Sequence, residues 1–172
     1  MAIGQTPEAF APFALVARTD PGGWYAFDEV GAGTLHIQAE KGNLVSPSVA
    51  ISLGAGEARR DVDLTLCASG AIEGVLYDAV TNHPIPNMRV TYNCDGARRI
   101  QESGPSDSEG RYRIAGLAPG NWNVWPVPGW QLATKHHPAY KEVKVPVKAG
   151  QTTSGADLYC EQRDAASGTI LG

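Results

Sequence analysis

An internal repeat constrains the fold of this chain more than any other feature. The segment TDPGGWYAFDEVGAGTLHI, from Thr19, matches SDSEGRYRIAGLAPGNWNV, from Ser106, at a spacing of 87 positions. The block AGEARRDVDL, from Ala55, matches AGQTTSGADL, from Ala149, at a spacing of 94. Recurrence of turn residues and apolar positions at such spacings indicates a structural unit that is built more than once. The 172 residues therefore hold copies of a smaller unit rather than one large domain.

A third and shorter match sets the domain boundaries that we expect. ASGAIEG, from Ala68, recurs as ASGTILG, from Ala166. We predict the C-terminal part of a first sandwich over residues 1–67, without its opening strands, and a complete sandwich over 68–161. Residues 162–172 then form a linker and the first strand of a further repeat. We expect the chain to be a piece of a longer bead-like protein; the alternative is a natural two-domain protein with a short polar tail.

Short alternating segments between turn residues predict an all-β fold. The complete copy has about seven of them, and none has a long helical period; they include AIEGVLYD, NMRVTYNC, RYRI, NWNVWPV, YKEVKVPVK and SGADLYC. Seven half-buried strands favour two packed antiparallel sheets. In the first copy we expect strands at WYAF, TLHIQAE, SVAISL and DVDLTL. Much of the excess in the 20 glycines and 12 prolines then lies in recurring turns and indicates β-architecture rather than disorder.

The motifs of the complete copy resemble the carboxypeptidase regulatory-like domain. The resemblance is carried by G-x-I-x-G-x-x-x-D from Gly70, by PIPNMRV, by SDSEGRYRIAGLAPGNWNV and by VKAGQTTSGADL. It implies tandem Ig-like or prealbumin-like (transthyretin-like) antiparallel β-sandwiches. It also implies a non-catalytic module of a secreted or surface protein of bacteria, located outside the cell, on its surface or in the periplasm. The family name does not imply peptidase activity in this chain.

The residues of the repeated motif are predicted to be structural. Glycines supply positive φ angles at sharp turns, and Asp107 can accept hydrogen bonds from the turn amides that follow it. Tyr112 is expected to place its ring in the core and its hydroxyl near the rim. The motif residues are Gly110, Tyr112, Ile114, Leu117, Gly120 and Trp122 in the second copy, and Gly23, Tyr25, Phe27 and Gly33 in the first.

Exposed aromatic residues form the candidate ligand site. Trp125 alternates with the inward-facing Trp122 and Val124, so its ring is expected to face outward. Trp130 and Tyr140 follow in the adjacent loop region. Flat rings of this kind could stack on sugars, which makes a carbohydrate-binding module the alternative function. The structural alternative is that the rings cover the loop or pack against a neighbouring repeat, as we also expect for the outward-facing Trp24.

The sequence favours no catalytic, metal or cofactor site. His136 and His137 are adjacent, so on a strand they would point to opposite faces. Asp107, Ser108 and Glu109 resemble only part of a calcium loop. A remote alternative is a degenerate intradiol-dioxygenase-like domain. That family has an iron-ligating tyrosine where this chain has Trp122, and its later histidines are spaced by one residue.

Charge and cysteine content give little sign of other partners. The net charge of −4 offers no bulk attraction for nucleic acid, and Arg98, Arg99, Arg89, Arg111 and Arg113 are expected to be a solvated sheet face. No segment has the length and apolar content of a membrane span. Cys67, Cys94 and Cys160 lack a zinc-binding spacing; one disulfide or small buried thiols remain open. The expected partners are neighbouring sandwich repeats, with a glycan or another surface protein as further candidates.

Overall fold

The protein is all-β in the part of the chain that its structure describes. The computed structural model describes residues 2–5, 14–95, 100–127, 130–132 and 142–162, and these contain strands and turns but no helix. The chain divides into two compact units. The first comprises Met1–Gly70, Gly116–Gly120 and Lys148–Gln151, and the second comprises Ala71–Ala115, Asn121–Val147 and Thr152–Gly172. The sequence-based boundary between residues 67 and 68 stays a prediction.

The first unit contains one four-stranded antiparallel sheet and one three-stranded antiparallel sheet. The larger sheet has the order β2-β1-β3-β6 and the smaller has the order β4-β5-β7. The strands are β1 Ala2–Gln5, β2 Ala14–Val16, β3 Gly33–Gln38, β4 Glu40–Lys41, β5 Leu44–Val45, β6 Val49–Leu53 and β7 Cys67–Ala68. Alternation along β3 buries Leu35 and Ile37, which form the centre of a small apolar cluster.

The second unit contains a four-stranded sheet and a five-stranded sheet. Their orders are β10-β9-β12-β14 and β11-β8-β16-β13, and β15 also pairs with β8. The strands are β8 Gly70–Asp78, β9 Val90–Cys94, β10 Gln101–Glu102, β11 Arg111–Leu117, β12 Gly120–Pro126, β13 Trp130–Leu132, β14 Val143–Val147, β15 Thr152–Thr153 and β16 Leu158–Gln162. Every segment that the sequence singled out as a strand in this copy contains one.

Apolar residues of the second unit form a fully buried core. Ile72 and Leu76 of β8 and Val124 of β12 have no exposed surface, and Trp122 is 5% exposed. The Trp122 ring lies 5.9 Å from that of Tyr92 on the neighbouring strand. Trp125, one residue beyond Val124, is half-buried. Trp122 and Val124 are buried as the alternation of β12 predicts. The same alternation places Asn123 on the outer face, and that of β9 places Thr91 there, but both residues are buried.

The pairing of β8 differs from the purely antiparallel arrangement that we expected. Both β15 and β16 run parallel to β8. More than 70 residues separate these strands in sequence, which is ample for the crossover that parallel pairing requires. Short hairpins would enforce antiparallel pairing, but no hairpin joins these strands. The fold is all-β as predicted, with one mixed sheet.

Two of the four strands expected in the first copy are not formed. TLHIQAE and SVAISL contain β3 and β6, whereas WYAF and DVDLTL, residues 24–27 and 61–66, lie in irregular chain. Their matched segments in the second copy, β11 and β16, both pair with β8. Among the described residues of the first unit, no strand corresponds to β8. A strand needs a partner for its backbone groups, so the sequence pattern alone does not produce one.

The different burial of the two tryptophans of β12 gives a stability test. Trp122→Ala should lower the free energy of unfolding by about 3–5 kcal/mol, because it empties a large part of a packed core. Trp125→Ala should lower it by about 1 kcal/mol or less, since that ring is half-exposed. Urea denaturation followed by circular dichroism measures both. Equal losses would show that the assigned facing of β12 is wrong.

Candidate functional site

The same aspartate turn is built in both units. The Asp107 backbone N–H donates to the Arg111 carbonyl at 2.9 Å, and the Asp107 carboxylate accepts from the Arg111 N–H at 2.9 Å. In the first unit, Asp20 makes the two corresponding bonds with Trp24, also at 2.9 Å. The expectation that Asp107 satisfies turn amides is confirmed, and its carboxylate also accepts from the Glu109 N–H.

Glycine is required in this turn by both backbone and space. Gly23 and Gly110 have φ angles of 86° and 71°, in the left-handed region that side chains disfavour. At Gly110, a Cβ would also lie 2.7 Å from the Leu76 carbonyl oxygen. The turn therefore packs directly against β8, and this contact requires the glycine at position 110.

A buried tyrosine hydrogen bond closes the second sandwich. The Tyr112 hydroxyl donates to the Ala156 carbonyl at 2.5 Å, and the residue is 3% exposed. Burial, and then the nearby Asp157 carboxylate, raises the pKa of Tyr112 well above its usual range. The expectation that this hydroxyl lies near the rim is wrong, because the ring crosses the core to reach the segment before β16. The hydroxyl is thus held in its neutral, donating form.

The first unit makes the corresponding tyrosine bond. The Tyr25 hydroxyl donates to the Val62 carbonyl at 2.5 Å. Burial, followed by the Asp63 carboxylate, raises the pKa of Tyr25. Tyr25 precedes Tyr112 by 87 positions and Val62 precedes Ala156 by 94, which are the spacings of the two sequence matches. Both units therefore connect the same two segments in the same way.

β8 passes close to this tyrosine bond in the second unit. A Cβ placed on Gly74 would lie 2.2 Å from the Ala156 carbonyl oxygen and 3.0 Å from the Tyr112 ring. Only glycine leaves room for the backbone here. The Ala156 N–H also donates to the Glu73 carbonyl at 3.1 Å, and the Val75 N–H donates to the Asp157 carboxylate at 2.9 Å. β8 is therefore bonded directly to the closing segment.

The apolar residues around the tyrosine bond are less buried in the first unit than in the second. Tyr112, Ile114, Ala156, Leu158 and Cys160 are all buried. Their matches are all only half-buried, and we call this set the open face: Tyr25, Phe27, Val62, Leu64 and Leu66. Sequence reasoning did not single out this surface. The signal for it was the lack of a match to residues 70–78 in the first copy.

The predicted aromatic ligand site is only partly within the described structure. Trp125 lies on β12 opposite Thr91 and is half-buried. Trp130 lies on β13, paired with Gln162. Tyr140, His136 and His137 lie outside the described residues. Beside Trp125, the Thr91 hydroxyl and the Asn123 side-chain oxygen are buried without a hydrogen-bond partner in the described structure. Trp24 faces outward as expected and is 76% exposed.

An open groove of about 570 Å³ lies beside the tyrosine bond of the second unit. Glu73, Gly74 and Tyr112 line it together with charged turn residues. The arginines predicted to be solvated are paired here: Arg111 with Asp107 and Glu109, and Arg113 with Glu73. Exposed pairs of this kind contribute little stability. Arg98 and Arg99 lie outside the described residues.

The cysteines are free thiols, and burial suppresses the ionisation of Cys94 and Cys160. No disulfide bond joins any two of Cys67, Cys94 and Cys160. Burial, then the Asp78 carboxylate, raises the pKa of Cys160 to about 12. Burial is also the main cause of the raised pKa of Cys94. Thiols in this state are poor nucleophiles at neutral pH.

The described ranges hold no cluster of three or more histidine, cysteine, aspartate or glutamate side chains that could bind a metal ion. Trp122, at the position where the dioxygenase family has an iron-ligating tyrosine, lies in the core. Within the same ranges, no helix has the length and hydropathy of a membrane crossing.

Comparisons with known proteins give distant structural likenesses. No family model matches the chain, and no curated protein matches it. The minor pilin GBS52 of Streptococcus agalactiae is similar over 94% of this chain and 73% of its own, with 16% identity and a TM-score of 0.48. The Bacillus anthracis TIE protein is similar over 98% and 33%, with 14% identity and a TM-score of 0.43. The shaft pilin spaA of Lactobacillus rhamnosus GG is similar over 92% and 72%, with 12% identity and a TM-score of 0.37.

The two tyrosine hydrogen bonds should contribute differently to the free energy of unfolding. Tyr112→Phe should lower the free energy of unfolding by about 1–3 kcal/mol, because the buried Ala156 carbonyl loses its donor. Tyr25→Phe should cost less, since water can reach a half-buried carbonyl. Thermal unfolding by calorimetry measures both variants. A Tyr112→Phe protein as stable as the parent would contradict a closing role for this bond.

Proposed function

We propose that this chain is a non-catalytic β-sandwich module array of a bacterial surface or secreted protein, acting as a spacer and interaction domain. The observation that supports this best is the repeated closure: an aspartate turn and a tyrosine hydrogen bond in each unit, with matched partners and distances. A unit that fixes its own turns and core can be added to a chain without new contacts elsewhere. Its residues would serve to hold shape.

The motif residues have structural tasks that account for their chemistry. The Asp107 carboxylate is bonded to turn amides, and the Tyr112 hydroxyl is bonded to a buried carbonyl. Cys160 is buried with a strongly raised pKa. None of these groups is presented to a substrate in an activated form, which supports a non-enzymatic role. We extend the proposal to membership of the carboxypeptidase regulatory-like sandwiches, arranged in tandem, on the strength of the sequence motifs.

Insertion of an extra copy tests the spacer role. Adding residues 68–161 again after position 161 should lengthen the particle by about 30 Å, the diameter expected for a compact bead of this size. Small-angle X-ray scattering measures the maximum dimension. The matched control carries Leu76→Asp in the inserted copy, which places a charge in the core and should give an expanded, flexible insert. A longer chain with an unchanged maximum dimension would contradict the spacer proposal.

Carbohydrate binding is the second candidate, and the half-exposed Trp125 favours it. This ring alternates along β12 with the buried Trp122 and Val124 and keeps part of its surface exposed, and a sugar ring could stack on that part. Titration with a panel of polysaccharides, followed by tryptophan fluorescence, should then give a saturable shift that Trp125→Ala weakens about tenfold or more. Trp24→Ala is the matched control, because Trp24 is exposed in the other unit. No shift with any glycan would eliminate this candidate.

A further inference from the structure

Two buried polar atoms of the second unit have no hydrogen-bond partner in the part of the chain that the structure describes. They are the Thr91 hydroxyl and the Asn123 side-chain oxygen, on residues that are 4% and 5% exposed. The other buried polar side chains of this unit are bonded: the Ser103 and Ser106 hydroxyls each accept from a backbone N–H. A buried polar atom without a partner destabilises a fold, so two of them on neighbouring strands indicate a role beyond folding.

The two atoms lie on the same face of one sheet, together with an aromatic ring. Thr91 of β9 is directly opposite Trp125 of β12, and Asn93 is directly opposite Asn123. Opposite residues and alternate residues share a face, so all four side chains lie on the side of the sheet away from the core. The Asn123 side-chain nitrogen donates to the Asn93 side-chain oxygen at 3.0 Å. This bond orients the Asn123 amide, and its oxygen is the end that remains as an acceptor.

We propose that Thr91, Asn123 and Trp125 form a binding site for a neutral sugar that carries an acetamido group. The proposal rests on the carbohydrate-binding candidate described above and names the class of sugar. The acetamido N–H donates to the Asn123 oxygen, the Thr91 hydroxyl donates to the acetamido carbonyl, and the Trp125 ring packs on the sugar ring. Thr91 and Asn123 are diagonal neighbours rather than opposite ones, so a group with two separate polar ends bridges them better than a single hydroxyl oxygen.

The charges around the two atoms favour a neutral sugar over an ionised one. Glu102 of β10 lies directly opposite Thr91 and is exposed, so the carboxylate of an acidic sugar would meet a like charge there. A cationic amino sugar would place its ammonium against two uncharged atoms, and burial of an unpaired charge is costly. An acetamido group avoids both penalties, because it is polar and uncharged.

Trp125 also controls access to the two atoms. The Thr91 hydroxyl oxygen and the Asn123 side-chain oxygen each have less than 1 Å² of surface open to solvent, so a ligand reaches them only when a covering side chain moves. This movement falls to Trp125, which lies directly opposite Thr91 and is only half-buried. Since its ring then exchanges protein contacts for contacts with the sugar, the tryptophan fluorescence of the chain should shift on binding.

Isothermal titration of the full chain with two matched oligosaccharides tests the proposal. Chitotetraose and cellotetraose have the same length and linkage, and differ in the acetamido group that replaces one hydroxyl of each sugar. The parent chain should bind chitotetraose about tenfold or more tightly. Thr91→Val keeps the side-chain shape without the hydroxyl, so it should weaken chitotetraose binding about tenfold and leave cellotetraose binding unchanged. It should also raise the melting temperature, because it removes a buried hydroxyl that lacks a partner. Thr152→Val, at an exposed position of β15, is the matched control and should change neither quantity.

Three results would overturn the acetamido site: equal affinity for the two oligosaccharides, chitotetraose binding that Thr91→Val leaves unchanged, or a Thr91→Val chain that melts below the parent. The last would show that the hydroxyl serves the fold, through an ordered water only. In each case, glycan binding that Trp125→Ala weakens would still support the carbohydrate candidate, so the two failures are distinguishable. A chain that binds no glycan would contradict both, and none of these results alters the scattering test of the spacer role.

Discussion

The packing of β8 against the tyrosine bond is the contact on which the second sandwich depends. This strand carries the fully buried Ile72 and Leu76, pairs with two parallel strands and has the turn at Gly110 against it. Gly74 lets its backbone pass the Ala156 carbonyl, to which Tyr112 is bonded. Removing β8 would leave its neighbours β11 and β16 without the ladder partner that they share. The recurring residues Gly110 and Tyr112 line the place where this strand lies.

The first unit has the same motif without a described strand at that place. The aspartate turn and the tyrosine bond form there with unchanged lengths, because neither bond uses an atom of the strand that β8 supplies in the second unit. The segments 24–27 and 61–66 do not become regular strands, because their ladder partner is absent from the described residues. The aspartate turn and the tyrosine bond can therefore form in segments that are not regular strands.

Much of the second unit could be predicted from alternation and turn chemistry. The strands β8, β9, β11, β12, β14 and β16 lie in segments that the sequence marked, and Trp122 and Val124 face inward as expected. Parallel pairing of β8 with β16 was missed because alternation reports which face a residue occupies and says nothing of strand direction. The buried Tyr112 hydroxyl was missed because its acceptor, Ala156, lies 44 residues away in sequence.

The open face was harder to predict than the position of any single residue. It becomes apparent only when the burial of matched residues in the two units is compared. Phe27 and Leu64 have the same alternating pattern as Ile114 and Leu158, and propensity alone predicts strands for all four. What differs is whether a third segment lies between them, which is a property of the order of blocks along the chain.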